Sequence, residues 1–298
     1  MKAYTELEKY VVNLFLKEKF FIWKEKRFEV DIVDKPRPRG SGECKTDVYV
    51  RGFNKFEGNI ELKISIKKEN SQEFQENKLT PEATENLLGE DWETIVRDAS
   101  YSIKEKFESV PLIFLSQRGH TDRNSVTMGW KLEITSKPRN LSSKLKLSDE
   151  DIKERVYKGT KLPISKKDST VNGSVVSGSG IANYMLITEI DKISTVQDVL
   201  NQLILIETMP IGDMYLVFTA NNWRVEKDST DGPRCLAVRI EWEEKNGRLI
   251  PAFIYDQPLN CTGKKNKEHL KLIFDKLGVQ LPDQLNEGMV DSRYIYSK

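Results

Sequence analysis

Cysteine and histidine are scarce in this sequence of 298 residues, which holds three cysteines and two histidines. Cys44, Cys235 and Cys261 lie far apart and form no C-x-x-C pair, which argues against a disulfide framework and against a cysteine-ligated zinc site. With only His120 and His269, a histidine metal site or a Ser-His-Asp triad is also disfavoured. The expected metal ligands are therefore carboxylates, and the cysteine content fits a reducing cytoplasm.

Long apolar stretches are missing as well. No run of residues approaches the ~20 that would span a bilayer, and the N-terminus has no apolar segment typical of a secretion signal. The formal net charge is only +1, so binding to phosphates would require a local basic surface. With 38% hydrophobic and 31% charged residues, the composition is that of a soluble globular chain, long enough for one large domain or two ordinary ones.

The first half of the sequence has the apolar spacing of a helix, three strands, a second helix and a further strand, in that order. These elements are predicted over residues 4–19, 27–33, 46–52, 59–67, 92–107 and 110–115. A change in composition near residue 138 separates this half from a second half that is rich in strands. We therefore predict an α/β (α+β) fold in two parts, residues 1–138 and 139–298, which could still belong to one domain.

The second half is predicted to contain helices at 148–157, 195–208 and 266–277. The many serine, glycine and lysine residues over 165–183 favour loops or a mobile hairpin, and another polar stretch lies over 219–234. Asn246-Gly247 is typical of a tight turn between two strands, here 236–242 and 249–255.

Three residues on neighbouring predicted strands form a pattern suited to phosphodiester hydrolysis. Asp47 begins one strand, and Glu61 and Lys63 lie two positions apart on the next, so that these two side chains leave the same face. If the two strands pair as a hairpin, all three residues can meet at one end of the sheet. Two carboxylates supply hard oxygen ligands for magnesium, which assists the attack of water on a phosphate. The lysine can orient the water or stabilise the developing charge.

Together with the lead-in Gly40-x-Gly42-x-x-Lys45-Thr46-Asp47, this pattern resembles the P-D-(D/E)-x-K nuclease superfamily, and in particular type II restriction endonucleases. The resemblance covers residues 1–135, with Thr46 in place of the proline. It implies a restriction-endonuclease-like αβββαβ core and DNA cleavage that depends on magnesium, for which manganese can substitute. Such nucleases often place a further acidic ligand on the first helix. Glu6 and Glu8 are the candidates, and Glu8 is preferred because it shares the apolar face of that helix.

Alternative interpretations stay open. Asp231 followed by Glu243-Glu244-Lys245 makes a second match, which is poorer because Asp231 lies in a loop and Lys245 abuts a turn. The polar face with Glu61 and Lys63 is also what a solvent-exposed edge strand presents. A sequence-specific DNA endonuclease of the restriction type is the preferred function. A structure-specific or recombination nuclease and a non-catalytic nucleic-acid-binding protein are the alternatives.

Double-stranded DNA is the expected partner, and cutting both strands of a palindrome favours a homodimer. Candidate DNA contacts are polar or basic residues at a strand end, in a proline-stiffened segment and in the two polar stretches of the second half. They are Lys67, Lys68, Arg37, Arg39, Lys166, Lys167, Asn172, Asn221, Asn222 and Arg224. Base recognition is expected mainly in the second half, because the nuclease core uses the first half and phosphate contacts carry no sequence information.

Overall fold

The computed structural model describes residues 3–40, 42–69, 74–76 and 79–298, and it mixes helices and strands. The chain forms two compact units, each built from two separate segments of sequence. Unit 1 comprises Met1–Glu73 and Leu147–Gly212, and unit 2 comprises Phe74–Lys146 and Asp213–Lys298. None of the described helices combines the length and the apolar character that crossing a bilayer requires.

The strands are β1 (Phe20–Trp23), β2 (Lys26–Asp34), β3 (Val48–Asn54), β4 (Gly58–Lys67), β5 (Gln75–Glu76), β6 (Ile113–Phe114), β7 (Ser125–Thr135), β8 (Ser142–Lys144), β9 (Thr170–Val171), β10 (Ser174–Val175), β11 (Tyr184–Ile187), β12 (Leu203–Leu205), β13 (Tyr215–Arg224), β14 (Ser229–Thr230), β15 (Leu236–Lys245), β16 (Arg248–Ile254) and β17 (Ile295–Tyr296). The α-helices are α1 (Ala3–Glu18), α2 (Pro81–Leu88), α3 (Trp92–Tyr101), α4 (Lys104–Glu108), α5 (Asp149–Asp151), α6 (Ile164–Lys167), α7 (Val196–Asn201) and α8 (Gly263–Leu277). A π-helical segment, Ile152–Lys158, continues α5, and short 3₁₀ helices cover Ile190–Lys192, Ile206–Thr208, Pro282–Gln284 and Ser292–Tyr294.

Unit 1 contains a six-stranded sheet in the order β1-β2-β3-β4-β11-β12. The first four strands form an antiparallel meander, in which each strand pairs with the next one along the chain. β11 is parallel to β4, and β12 is antiparallel to β11. The parallel pair is joined by a long crossover that contains all of the first segment of unit 2 and, on its return to unit 1, α5, its π-helical continuation and α6.

The apolar core of unit 1 lies between this sheet and the helices α1 and α7. Apolar side chains recur in α1 at intervals of three and four residues, as a helix with one buried face requires. In β3 and β4 apolar residues alternate with polar ones, so that one face of each strand is apolar. The core contains Leu7, Val11, Leu14, Phe15, Val48, Val50, Leu62, Ile64, Ile66, Val196 and Val199. The polar alternate positions of β3 and β4 are consequently left on the opposite face.

Unit 2 is organised around β7, all eleven residues of which are buried. Its main sheet runs in the order β14-β13-β7-β15-β16, and α8 contacts β7, β13, β14 and β15. The helix α8 begins after Thr262, whose side chain accepts a hydrogen bond from the Lys265 amide. It ends at Gly278, whose φ of 66° lies in the left-handed region that favours glycine.

Several local predictions are confirmed. The first helix and the three strands that follow it are α1, β2, β3 and β4. The last predicted helix is α8 and stops at Gly278. The turn between β15 and β16 lies at Asn246 and Gly247, which have positive φ values of 53° and 78°.

Other local predictions are wrong. The helix predicted over 92–107 is divided into α3 and α4. The helix predicted over 195–208 ends at Asn201, because Leu203–Leu205 instead pair with β11. The stretch 219–234 is not a loop at its start, since β13 extends to Arg224. Over 165–183 the expected hairpin is present as the paired strands β9 and β10, and the helix α6 was not predicted.

The units divide the chain differently from the single boundary predicted near residue 138. The helix and strand that were expected to complete the αβββαβ order lie in unit 2, as α3, α4 and β6. Beside β4 of unit 1 lies β11, which is separated from Lys67 by 116 residues of sequence. Helical and strand periodicity describe local structure only, so they do not reveal which distant segments pair.

Candidate active site

The polar face of β3 and β4 carries all three residues of the predicted catalytic pattern. The antiparallel register places Tyr49 opposite Lys63 and Arg51 opposite Glu61. Asp47 lies one residue before β3, level with Ser65, whose hydroxyl is 3.4 Å from its carboxylate. Residues opposite one another in an antiparallel pair share a face, so these six side chains line one surface of the sheet.

Asp47 is fixed at the start of β3 by hydrogen bonds of its backbone and side chain. Its amide donates to the Ile64 carbonyl at 2.8 Å, and its carboxylate accepts from the Ile66 amide at 2.8 Å. Burial raises the pKa of Asp47 from 3.8 to about 6. The Ile66 hydrogen bond opposes this shift, the negative charge of Glu8 adds to it, and Lys67 and Lys35 oppose it. A cation close to Asp47 would therefore be stabilised by a carboxylate that the fold has partly deprived of water.

Glu8 is the residue of α1 that interacts with Asp47. Its side chain is 12% exposed and forms an ion pair with the ammonium of Lys35, which follows β2. Burial lowers the pKa of Lys35, but the hydrogen bond and charge of Glu8, together with the charges of Asp47 and Glu43, outweigh it and leave this pKa raised. The Lys35 ammonium is thus a cation held by the combined negative charge of Glu8 and Asp47. Glu6, the other acidic candidate on the helix, is exposed.

Glu61 and Lys63 form a second group on the same face. The Glu61 carboxylate accepts a hydrogen bond from the Tyr49 hydroxyl at 2.5 Å, and its other oxygen lies 4.0 Å from Lys63 Nζ. Burial, followed by the hydrogen bond to Glu61 and its charge, raises the pKa of Tyr49, so this hydroxyl remains a donor at neutral pH. Lys63 is 18% exposed, and a Cβ built on Gly178 would lie 3.7 Å from its ammonium. The Lys63 ammonium is therefore confined between Glu61 and the Gly178 backbone.

The two groups are separated along the sheet. Ser65, which is level with Asp47, lies four residues beyond Glu61, and strands rise about 3.3 Å per residue, so the two positions are roughly 13 Å apart along β4. The charge of Glu8 acts on Asp47, and Glu61 lies 4.0 Å from Lys63, but the structure does not bring Asp47 and Glu61 to one point. Among the described residues, no three His, Cys, Asp or Glu side chains are grouped closely enough to hold a metal ion.

Two segments of unit 1 that carry basic residues are held together by hydrogen bonds. Arg37 forms a two-way backbone bridge with Thr170, with N···O distances of 2.9 and 2.8 Å. Arg39 donates from its amide to the Ser165 carbonyl at 2.9 Å and from its side chain to the Asp168 carbonyl at 3.1 Å. These contacts bring four of the predicted DNA-binding residues into one surface, which we call the basic ridge. The basic ridge consists of Arg37, Arg39, Lys166 and Lys167.

The basic ridge is attached directly to the segment that precedes Asp47. The Gly180 carbonyl accepts hydrogen bonds from the amides of Lys45 and Thr46 at 2.9 and 3.3 Å. A Cβ at Gly180 would approach the Lys166 carbonyl oxygen to 1.9 Å, so only glycine fits there. A Cβ at Gly42 would lie 2.9 Å from the Lys166 ammonium, which places that charge beside the glycine-rich lead-in.

The remaining DNA-binding candidates lie at three locations: the end of β4, the β9–β10 turn and β13. Lys67 ends β4 on the face that carries Lys63, and Lys68 follows directly after the strand. Asn172 is exposed between β9 and β10, in unit 1. Asn221 and Asn222 are 0% and 5% exposed.

The expectation that β13 residues reach DNA bases is corrected by their burial and contacts. The Asn222 side chain bonds to Thr127 and Asp231, and the guanidinium of Arg224 also pairs with Asp231. The side-chain nitrogen of Asn221 donates to the Gly232 carbonyl at 3.3 Å. Asn221 and Asn222 are thus engaged inside unit 2, whereas the Arg224 side chain is 34% exposed.

The second sequence match does not form a site. Asp231 is bound by Arg224 and Asn222, whereas the Glu243 carboxylate pairs with Lys245 at 2.5 Å, next to the β15–β16 turn. A cavity of about 410 Å³ in unit 2 has Phe114, Arg118 and Trp130 among its lining residues, and none of the predicted catalytic residues.

Sequence reasoning placed Ser65 on the face of Glu61 and Lys63 and the Lys35–Arg39 segment near the site, but it missed Tyr49 and Asn183. Tyr49 could have been found, because strand alternation places it on the face of Asp47 and Lys63. Asn183 joins the surface through pairing between distant segments, for which the sequence carries no local signal. Comparison of the chain with protein-family models, with curated proteins and with solved structures found no match.

Proposed function

We propose that this protein is a metal-dependent DNA endonuclease of the restriction type, with its active site on the polar face of β3 and β4. The observation that carries the proposal is the buried carboxylate of Asp47, whose pKa is raised further by the charge of Glu8, on the sheet face that also presents Lys63. The order of elements in unit 1 supports it. With β1 as an additional edge strand, α1, the antiparallel strands β2, β3 and β4, the helical segment from α5, and the parallel strand β11 are similar to the αβββαβ order of the P-D-(D/E)-x-K superfamily.

The donor set at Asp47 fits magnesium. Glu8 and Asp47 offer only carboxylate oxygens, which magnesium prefers, and this ion usually takes one or two protein carboxylates and completes its shell with water and phosphate. The ion pair of Glu8 with the Lys35 ammonium, whose pKa is raised, supports a cation at this position. Bound there, magnesium would supply positive charge to the scissile phosphate and increase the acidity of the attacking water. We therefore assign Glu8 and Asp47 as the ligands.

Lys63 and Lys67 supply positive charge on the same face. Lys63 orients the attacking water or stabilises the charge that develops on the phosphate, because its ammonium is confined and only partly hydrated. Glu61 holds this ammonium and the Tyr49 hydroxyl in place. This is a different role from the metal ligation that the pattern alone assigns to Glu61.

DNA is held by the basic ridge and Lys68 through phosphate contacts, which position the duplex without reading its sequence. Asn172, exposed at the β9–β10 turn, is the candidate for a base contact in unit 1. Cleavage of both strands of a symmetric site requires two active sites, so we propose that the enzyme acts as a homodimer.

A non-catalytic nucleic-acid-binding protein is the second candidate. The distance along β4 between Asp47 and Glu61 favours it, because a binding surface has no need for two convergent carboxylates.

One experiment separates the two. Purified protein is incubated with a large, sequence-diverse DNA and a supercoiled plasmid in magnesium, with and without EDTA. Discrete, EDTA-sensitive fragments support a restriction-type nuclease, and cutting only of branched or nicked DNA supports a structure-specific one. Binding without cutting supports the second candidate. If cutting occurs, Glu8→Gln and Glu61→Gln are compared over a magnesium titration, and only Glu8→Gln is expected to raise the magnesium concentration required.

A further inference from the structure

Asn183, the residue before β11, uses all four of its polar groups, and three of them bind the stretch Glu61–Lys63. Its side-chain oxygen accepts a hydrogen bond from the Lys63 amide at 2.7 Å. Its own amide donates to the Lys63 carbonyl at 2.9 Å. Its side-chain nitrogen donates to the Glu61 carbonyl at 3.4 Å. The fourth group, its carbonyl, accepts from Ile206 at 3.1 Å.

The side chain of Asn183 extends the pairing of β4 beyond the point where the backbone of β11 begins. The parallel register starts with Ile64 opposite Tyr184. The residue before Asn183 has turned away, since the Ala182 amide donates to the Lys158 carbonyl at 3.0 Å. The carboxamide of Asn183 offers both an acceptor and a donor, as a peptide group does, and it provides them at Lys63 and Glu61.

We propose that Asn183 is a positioning residue, which fixes the backbone of Glu61 and Lys63 and through it the location of the Lys63 ammonium. This inference rests on the proposed nuclease function of the same face. The Lys63 ammonium lies 4.0 Å from Glu61 and faces the Gly178 backbone, so a small displacement of the strand changes both relationships. Asn183 itself does not touch the phosphate. Its effect is therefore on the rate of the chemical step and not on DNA affinity.

The experiment compares Asn183→Ala with Asn183→Asp and with a matched control, Asn54→Ala. The Asn54 side chain also organises the β3–β4 hairpin, accepting from the Phe56 and Glu57 amides at 2.8 and 3.0 Å, but at the end remote from Lys63. Asn183→Asp keeps the acceptor for the Lys63 amide and loses the donor to Glu61. Two quantities are measured for each protein: kcat and KM on plasmid DNA in magnesium, and hydrogen exchange of the Lys63 amide.

Asn183→Ala is expected to lower kcat by about 10- to 100-fold, the effect of misplacing a catalytic group by about 1 Å, while KM and calcium-supported DNA binding stay within about twofold. It should also accelerate exchange of the Lys63 amide by roughly tenfold or more, because its acceptor is gone. Asn183→Asp should keep this amide protected and give an intermediate kcat. Asn54→Ala should leave kcat and Lys63 exchange unchanged.

Two results overturn the proposal. One is an Asn183→Ala protein whose kcat falls no further than that of Asn54→Ala, and the other is a rise in KM with kcat intact. Failure of the nuclease proposal looks different: the wild-type protein cuts no DNA. In that case hydrogen exchange of the Lys63 amide tests the positioning role. An exchange rate in Asn183→Ala equal to that of the wild type rejects it. If Asn183→Ala does not fold, Asn183→Asp provides the decision, since its kcat must fall below that of the wild type.

Discussion

The carboxylate of Asp47 accepts a hydrogen bond from the backbone amide of Ile66 at 2.8 Å, so the proposed metal ligand also closes the end of the β3–β4 pairing. This contact holds the carboxylate in a buried position, and burial is the main reason why its pKa rises to about 6. At neutral pH, the stability of the fold and the proposed chemistry therefore favour opposite charge states of Asp47. The fold is more stable with a neutral group there, and the proposed chemistry requires a charged one.

The first prediction concerns the stability of Asp47→Asn. Because the folded-state pKa of Asp47 lies above its unfolded value of 3.8, the folded protein binds the proton more tightly. The contribution of Asp47 to the free energy of unfolding therefore decreases as pH rises from about 4 to about 6. Asparagine is neutral throughout and can still accept from Ile66. At pH 8, Asp47→Asn should be more stable than the wild type, by at most on the order of 3 kcal/mol.

Urea unfolding of both proteins at pH 8 and at pH 4 measures this difference. The gain in stability should disappear at pH 4, where the wild-type carboxyl is protonated in the folded state. Cleavage by Asp47→Asn should fall by about a thousandfold, as expected when a metal ligand is lost. Equal or lower stability of Asp47→Asn at pH 8 would show that the carboxylate carries no burial penalty.

The second prediction concerns Lys63. Lys63→Ala removes the confined ammonium and should lower kcat by about a thousandfold, with folding retained because the side chain lies on the polar face of β4. Glu243→Ala is the control, since Glu243 belongs to the second sequence match and pairs with Lys245 of its own strand. If Glu243→Ala abolishes cleavage and Lys63→Ala does not, the active site has been assigned to the wrong strands.

The third prediction concerns the metal. With only carboxylate oxygens available at Glu8 and Asp47, cleavage should require magnesium or manganese, and calcium should support DNA binding without cutting. Plasmid cleavage and a gel-shift assay in each metal measure the two activities. Undiminished cleavage in excess EDTA contradicts the proposed site directly.

The fourth prediction concerns the basic ridge. Each of Arg37→Ala and Lys166→Ala should weaken DNA binding to a similar degree on all sequences, because phosphate contacts carry no base information. Each lost phosphate contact should reduce the slope of log K against log salt concentration by about 0.9. Arg293→Ala is the control, an exposed arginine of unit 2 that pairs with Asp291. An unchanged salt slope in both ridge variants would place the DNA elsewhere.

The sequence pattern was sufficient to identify the elements of the candidate site but not their alignment. Alternation of apolar and polar residues predicted that Glu61 and Lys63 share a face, and their position in β4 confirms it. The prediction that Asp47 and Glu61 meet depended on the register of the hairpin, which alternation does not contain. A register shift of two residues keeps every side chain on its face and moves its partner by about 7 Å.

What the sequence by itself determined is therefore local: the amphipathic helix α1, the alternating strands β3 and β4, the turn at Asn246 and Gly247, and the end of α8 at Gly278. Only the tertiary structure decided that β11 lies beside β4, that Asn183 binds the backbone of Glu61 and Lys63, and that the basic ridge forms from segments more than 100 residues apart. The physical reason is that periodicity reflects which face of an element is buried, whereas the partner that buries it is selected by hydrogen bonds and packing between segments distant along the chain.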